Sequence, residues 1–96
     1  MKNYEVMYIV NASLEDSARQ EVMESMHGII TNNGGKIVDV NEWGVKEFAY
    51  SIQDMNKGYY VVVKFEAGNE ALKEFDRLMR INSNIVRYMI INLDEK

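Results

Sequence analysis

The sequence predicts an α+β fold, a four-stranded antiparallel sheet with two helices packed on one of its faces. Three observations predict it. Four segments follow the two-residue apolar alternation or β-rich composition of a strand, two segments between them space their apolar residues as a helix does, and the order is β-α-β-β-α-β. Two right-handed crossovers then place both helices on the same sheet face, with the strands in the spatial order fourth, first, third, second.

Each element has its own signature. Tyr4 to Val10 alternates, with Tyr4, Val6, Tyr8 and Val10 on one face and Glu5, Met7 and Ile9 on the other. Asn11-Ala12-Ser13 breaks the strand, and Ser13 is the expected N-cap of a helix whose first turn carries Glu15 and Asp16. Leu14, Ala18, Val22, Met26, Ile29 and Ile30 form its apolar stripe, and Asn32-Asn33-Gly34-Gly35 ends it. Lys36 to Ile52 reads as a strand interrupted by Gly44, where a bulge is expected. Gln53 to Gly58 reads as a polar turn closing a long hairpin with the strand Tyr59 to Phe65. Asn69 is the expected cap of a second helix that turns Leu72, Phe75, Leu78 and Met79 inward, and Ile85 to Leu93 is the last strand. The pattern is the ferredoxin-like split βαβ, here as one domain over residues 1–96.

Composition narrows the function. The chain has 96 residues, 47% of them hydrophobic, which is enough for one modest core. It contains no cysteine, so disulfides and thiolate metal sites are excluded. The start, Met1-Lys2-Asn3-Tyr4-Glu5, leads into a strand rather than an apolar leader, and the expectation is a cytoplasmic protein. The net charge of −4 argues against a free-standing, sequence-independent nucleic-acid binder. That acidity is uneven: residues 1–35 set Lys2 and Arg19 against Glu5, Glu15, Asp16, Glu21 and Glu24, a net of −3, while residues 36–96 carry only −1.

An α+β sheet of this kind has one face covered by helices, and its other face should be polar if it meets only water. Here Met7 and Ile9, Tyr60 and Val62, and Met89 and Ile91 all fall on the uncovered face, together with Lys64 and Arg87. Such a patch points to an interface, against the plainer reading of leftover apolar surface.

Catalytic constellations are missing from the sequence. His27 is the only histidine and has no imidazole or thiolate companions for a metal. The serines lack the glycines of a nucleophile elbow. Asn33-Gly34-Gly35-Lys36 leaves a helix for a strand, the reverse of a phosphate loop. Asp76 and Arg80 read as an i,i+4 pair on a solvated helix face. An acylphosphatase-like activity would need a phosphate cradle, and none is present. The expectation is a protein that is not an enzyme and needs no cofactor. Lys2, Lys46, Lys64, Arg80 and Arg87 are the cations available for phosphates, and Tyr4, Trp43, Tyr50 and Tyr60 the aromatics available for docking or stacking. The strand Gly58 to Phe65 lacks the glycine-spaced aromatics of an RRM.

Four stretches in order carry a resemblance: Tyr4 to Val10; Trp43-Gly44 with Phe48-Ala49-Tyr50 and Ile52; Gly58-Tyr59-Tyr60; and Phe75-Asp76-Arg77-Leu78 with Arg80-Ile81-Asn82 and Val86 to Ile90. In these the chain resembles ribosomal protein six of the bacterial small subunit, over nearly its whole length. The resemblance implies a structural ribosomal constituent that binds the central domain of small-subunit ribosomal RNA together with ribosomal protein eighteen of the same subunit, a basic partner. It implies RNA contacts at Lys2, Lys46, Arg80 and Arg87, and partner-protein contacts at Tyr50, Tyr60, Val62, Met89 and Ile91. Two departures stand out. Glu47 sits where the family often has a second basic residue after the Trp-Gly, and Ser51 where it often has proline. The alternative from the residues alone is a homodimer that buries its apolar sheet face and binds a small ligand.

Overall fold

The computed structural model describes residues 1–52 and 55–94, with side chains described outside 48–56. The elements are β1 (Lys2–Asn11), α1 (Asp16–Asn32), β2 (Lys36–Ile52), β3 (Met55–Ala67), α2 (Asn69–Ile81) and β4 (Ile85–Asn92). The sheet order is β2-β3-β1-β4, with every neighbouring pair antiparallel. This is the predicted ferredoxin-like order, read from the other edge.

The core lies between the sheet and the helices. Val6, Tyr8 and Val10 of β1 and Val61, Val63 and Phe65 of β3 are buried against Met23, Met26 and Ile30 of α1 and Ala71, Phe75 and Met79 of α2. Phe65 is central, with its ring 5.6 Å from that of Tyr4 and 5.5 Å from that of Phe75. The helix stripes are rotated slightly from the predicted ones. Met23 and Ala71 are buried, whereas Leu72 and Leu78 are half-buried.

Both expected helix caps are corrected. Asn11 intercepts Ser13: its Oδ1 accepts from the Ser13 N–H at 2.9 Å and from the Ser13 hydroxyl at 2.7 Å, an Asx turn. With its hydroxyl turned back onto Asn11, Ser13 stays in the loop, and α1 starts two residues on behind Glu15, which makes no side-chain cap bond. Asn69 is the first residue of α2 and Gly68 occupies the cap position. The expected turn is also shorter than predicted. Lys57 faces Glu47 and Gly58 faces Lys46 across the ladder, so β3 begins at Met55, and Gln53 and Asp54 lie outside the described residues.

The end of α1 follows its glycines. Gly34 has φ +85°, its N–H donates to the Thr31 carbonyl at 3.2 Å, and the Gly35 N–H donates to the Ile30 carbonyl at 2.8 Å. This pair of bonds is the Schellman motif. Gly35 is needed for a different reason: a Cβ there would lie 2.7 Å from the Glu66 carbonyl oxygen and 2.9 Å from that of Ile30.

One polar pair reaches into the core. The Tyr8 hydroxyl and His27 Nε2 share a hydrogen bond of 2.9 Å. Burial pushes the Tyr8 hydroxyl far above the ordinary tyrosine range. Burial also holds the His27 imidazole below its ordinary value, against the opposing pull of Glu42 and Glu24. At neutral pH the bond therefore joins a protonated hydroxyl to a neutral ring, whose tautomer sets which of the two donates.

Two outcomes are expected. Gly35→Ala should destabilise the protein by about 2–3 kcal/mol through backbone overlap, and Gly34→Ala by about 1 kcal/mol through its left-handed φ alone. Denaturant melts that rank the two equally would rule out the close approach at Gly35. The second outcome concerns pH. Because the folded protein holds His27 below 6.5, the unfolded chain binds the extra proton first. Stability should fall as pH drops below about 6.5 and level off once the folded-state value is passed. His27→Gln should flatten this part of the profile, and an unchanged slope in that variant would remove His27 as its cause.

Candidate nucleic-acid and protein interface

Because the strands pair in register, the uncovered sheet face is a grid of rows running from β2 through β3 and β1 to β4. One row is Asp39, Lys64, Glu5 and Ile91, and the next is Asn41, Val62, Met7 and Met89. The third is Gly44, Tyr60, Ile9 and Arg87, and beyond it Lys46 faces Gly58, which faces Asn11. The middle of this face is apolar and open: Met89 is 50% exposed and Ile91 41%. Ile9, flanked by Tyr60 and Arg87 in its row, is only 5% exposed.

The ends of the face differ in charge. Glu5 and Asp39 flank Lys64 at one end, and Lys46 and Arg87 lie at the other, where the described residues of the face include no carboxylate. A shallow groove of about 260 Å³ runs over the acidic end and the apolar middle, from Glu5 and Asp39 past Val62 and Met89 to Trp43.

Trp43 stands at the boundary between the two ends. The register of β2 against β3 shifts between Glu42 and Gly44, so Trp43 is the additional residue of a bulge, and Gly44 takes φ +87° there. The bulge turns the indole over the neighbouring strand, where it stacks on Tyr60 with ring centroids 6.5 Å apart and planes 7° from parallel. The residue before it is fixed from below. The Tyr59 hydroxyl donates to Glu42 Oε1 at 2.7 Å, and the Arg19 guanidinium lies 4.0 Å over the Tyr59 ring. The Glu42 carboxylate accordingly raises the Tyr59 hydroxyl above its ordinary value.

The sequence-predicted residues sort themselves on this grid. Tyr60, Val62, Met89 and Ile91 are brought together on the uncovered face, and the Tyr50 side chain lies outside the described residues. Of the four cations, Lys46 and Arg87 share one end of that face, three strand spacings or about 15 Å apart. Lys2 pairs with Ala67 at the far end of β1, about 23 Å along the strand from the Arg87 row, and on the parity of the helix-covered face. Arg80, on the helix layer, bonds the Asp76 carboxylate at 2.7 Å, and the Tyr88 hydroxyl donates to that same side chain. The sequence reading missed Asp39, Asn41 and the seating of Trp43. Gly44 was the signal for the last, and the shift after Ile37 left no comparable mark.

Among the described residues no three His, Asp or Glu side chains gather as a metal site, and no helix is long and apolar enough to cross a membrane. The family model for ribosomal protein S6 matches residues 3–92. Among solved structures, the 30S ribosomal protein S6 of Thermotoga maritima is 29% identical and superposes with a TM-score of 0.89, over 95% of this chain and 86% of that one. An ethyl tert-butyl ether (EthD) family protein from Bacillus halodurans is a far looser likeness, at 12% identity and a TM-score of 0.46, over 96% of this chain and 98% of that one. With the uncovered sheet face and the fold both in place, the chain belongs to the ribosomal protein S6 family, as a structural, non-enzymatic constituent of the small subunit of the cytoplasmic ribosome.

Proposed function

We propose that this chain, as one domain, binds the central domain of small-subunit ribosomal RNA as half of a heterodimer with ribosomal protein S18. The two ends of its uncovered sheet face serve different partners. The observation that carries the reading is the charge polarity of that face: carboxylates with an apolar middle on one side, and on the other Lys46 and Arg87 with no carboxylate among the described residues of the face. A basic protein suits the acidic and apolar part, where Val62, Met89 and Ile91 supply the contact area. Each side chain fully covered there contributes roughly 1.5–3 kcal/mol before ordering costs.

RNA phosphates suit the other end, with Lys46 and Arg87 as the main contacts, while Tyr50 and Tyr60 count with Val62, Met89 and Ile91 as contacts to the protein partner. Arg80 flanks the β4 edge from the helix side, and Lys2 makes the most distant contact. A chain of net charge −4 joins RNA more readily when a basic partner changes the sign of the whole particle. Binding to an RNA fragment should therefore require S18, and tight, salt-insensitive binding of this chain alone would refute the heterodimer.

Arg87→Ala and Lys46→Ala should each weaken the ternary complex and lower its salt slope by about one. Met89→Glu should instead abolish association with S18 in the absence of RNA, because it buries an unpaired carboxylate in the apolar middle. Filter binding across salt concentrations and sedimentation of the protein pair check these separately. A stable homodimer of the isolated chain that persists when S18 is added would favour self-association through the same face.

A further inference from the structure

We propose that Trp43 is a stacking platform for one unpaired base of a single-stranded RNA segment. The inference rests on the RNA-binding reading above and adds a site and a ligand class to it. Trp43 is 50% exposed, a large residual for the only tryptophan of the chain. The structure holds it in place nonetheless. The Gly44 bulge aims it, the parallel Tyr60 ring supports it at 6.5 Å, and the bond between Tyr59 and Glu42 fixes the residue before it. A flat aromatic face that is both ordered and solvent-reachable fits a planar ligand, since every base offers a π-face whatever its identity.

The surroundings choose the class of ligand. Lys46 lies beyond Trp43 on the same face, and the row starting at Gly44 crosses Tyr60 and Ile9 to end at Arg87. A strand crossing this row would meet a stacking surface at one end and a guanidinium at the other. Among the described residues of this end of the face there is no carboxylate to repel its phosphates; Glu5 and Asp39 lie two rows away, at the far end of the groove that Trp43 also lines. The Asn41 amide, one row from Trp43 and lining the same groove, offers a donor and an acceptor to the edge of a stacked base. A basic protein segment is favoured over the acidic end for the same electrostatic reason that RNA is favoured here.

The test uses the full chain with fluorotryptophan incorporated, so that one fluorine resonance reports on position 43. Addition of S18 alone should leave that resonance nearly unmoved. Addition of the central-domain RNA fragment to the protein pair should shift it strongly through the ring current of the stacked base. Trp43→Ala should weaken RNA binding about ten- to a hundredfold with the salt slope unchanged, which separates it from Lys46→Ala. Trp43→Phe should retain most of the affinity. If RNA binds without moving the resonance, the platform is wrong and the RNA reading stands. If S18 alone moves it strongly, the indole is a protein contact and the platform is also wrong. If no RNA binds to the protein pair at all, both fall. The fluorine measurement needs no variant, so a misfolded Trp43→Ala would leave the test intact.

Discussion

The alternation of side chains along β1 constrains everything else in this molecule. Val6, Tyr8 and Val10 are fully buried under the helices, and successive residues of a strand point to opposite faces. Driving those three inward therefore sends Met7 and Ile9 outward. The ladders pass the same parity to Val62 and Tyr60 on β3 and to Met89 and Arg87 on β4. A slip by one residue would trade the two faces completely, and each aliphatic side chain lost from the core would cost roughly 1.5–3 kcal/mol. The uncovered face inherits its pattern from the core and is held by the core's stability.

That inheritance explains how an acidic chain can gather cations at one end of a single face. Net charge governs long-range attraction, whereas a site depends on which charges share a face. Here Arg77 and Arg80 pair with Glu74 and Asp76 along α2, and Arg19 sits over Tyr59 beside Asp16. These cations are used on the helix side. Lys46 and Arg87 reach the opposite face through the register of two edge strands. The separation is geometric, so adding or removing helix charge changes solubility more than it changes the charges of the uncovered face.

Much of this was legible in the sequence, for identifiable reasons. Strand order followed from element order, because crossover handedness leaves one arrangement. Core and uncovered residues of β1 and β3 followed from uninterrupted period-two patterns, and those of β4 did so from Arg87 onward, past a register shift between Ile85 and Arg87. The caps at Ser13 and Asn69 did not follow, since a neighbouring Asn11 oxygen holds Ser13 in the loop and Gly68, which has no capping side chain, takes the cap position of α2. Neither did the dispersal of the cations. Lys2 and Arg87 look equivalent as surface charges, yet pairing with Ala67 and Ile9 places them at opposite ends and on opposite faces of the sheet.

β2 was the least legible element because its parity changes twice between Ile37 and Gly44 alone. Ile37 faces Phe65 on the helix side, but the shift before Asp39 makes the odd-numbered residues Asp39, Asn41 and Trp43 point away from the helices. The shift at Gly44 restores the first parity, and Val45 faces Tyr59 on the helix side again. Strict alternation would put Ile37, Trp43 and Val45 on one face. The structure instead spends two bulges on a three-position window, which alone sends the indole to the uncovered side. Bulges weaken the ladder locally and bend the strand, so their combined effect is to exchange some regularity at an edge for control over where Trp43 stands. The glycine that first looked like an interruption in a strand is the residue that makes this possible, because only the second shift requires a positive φ.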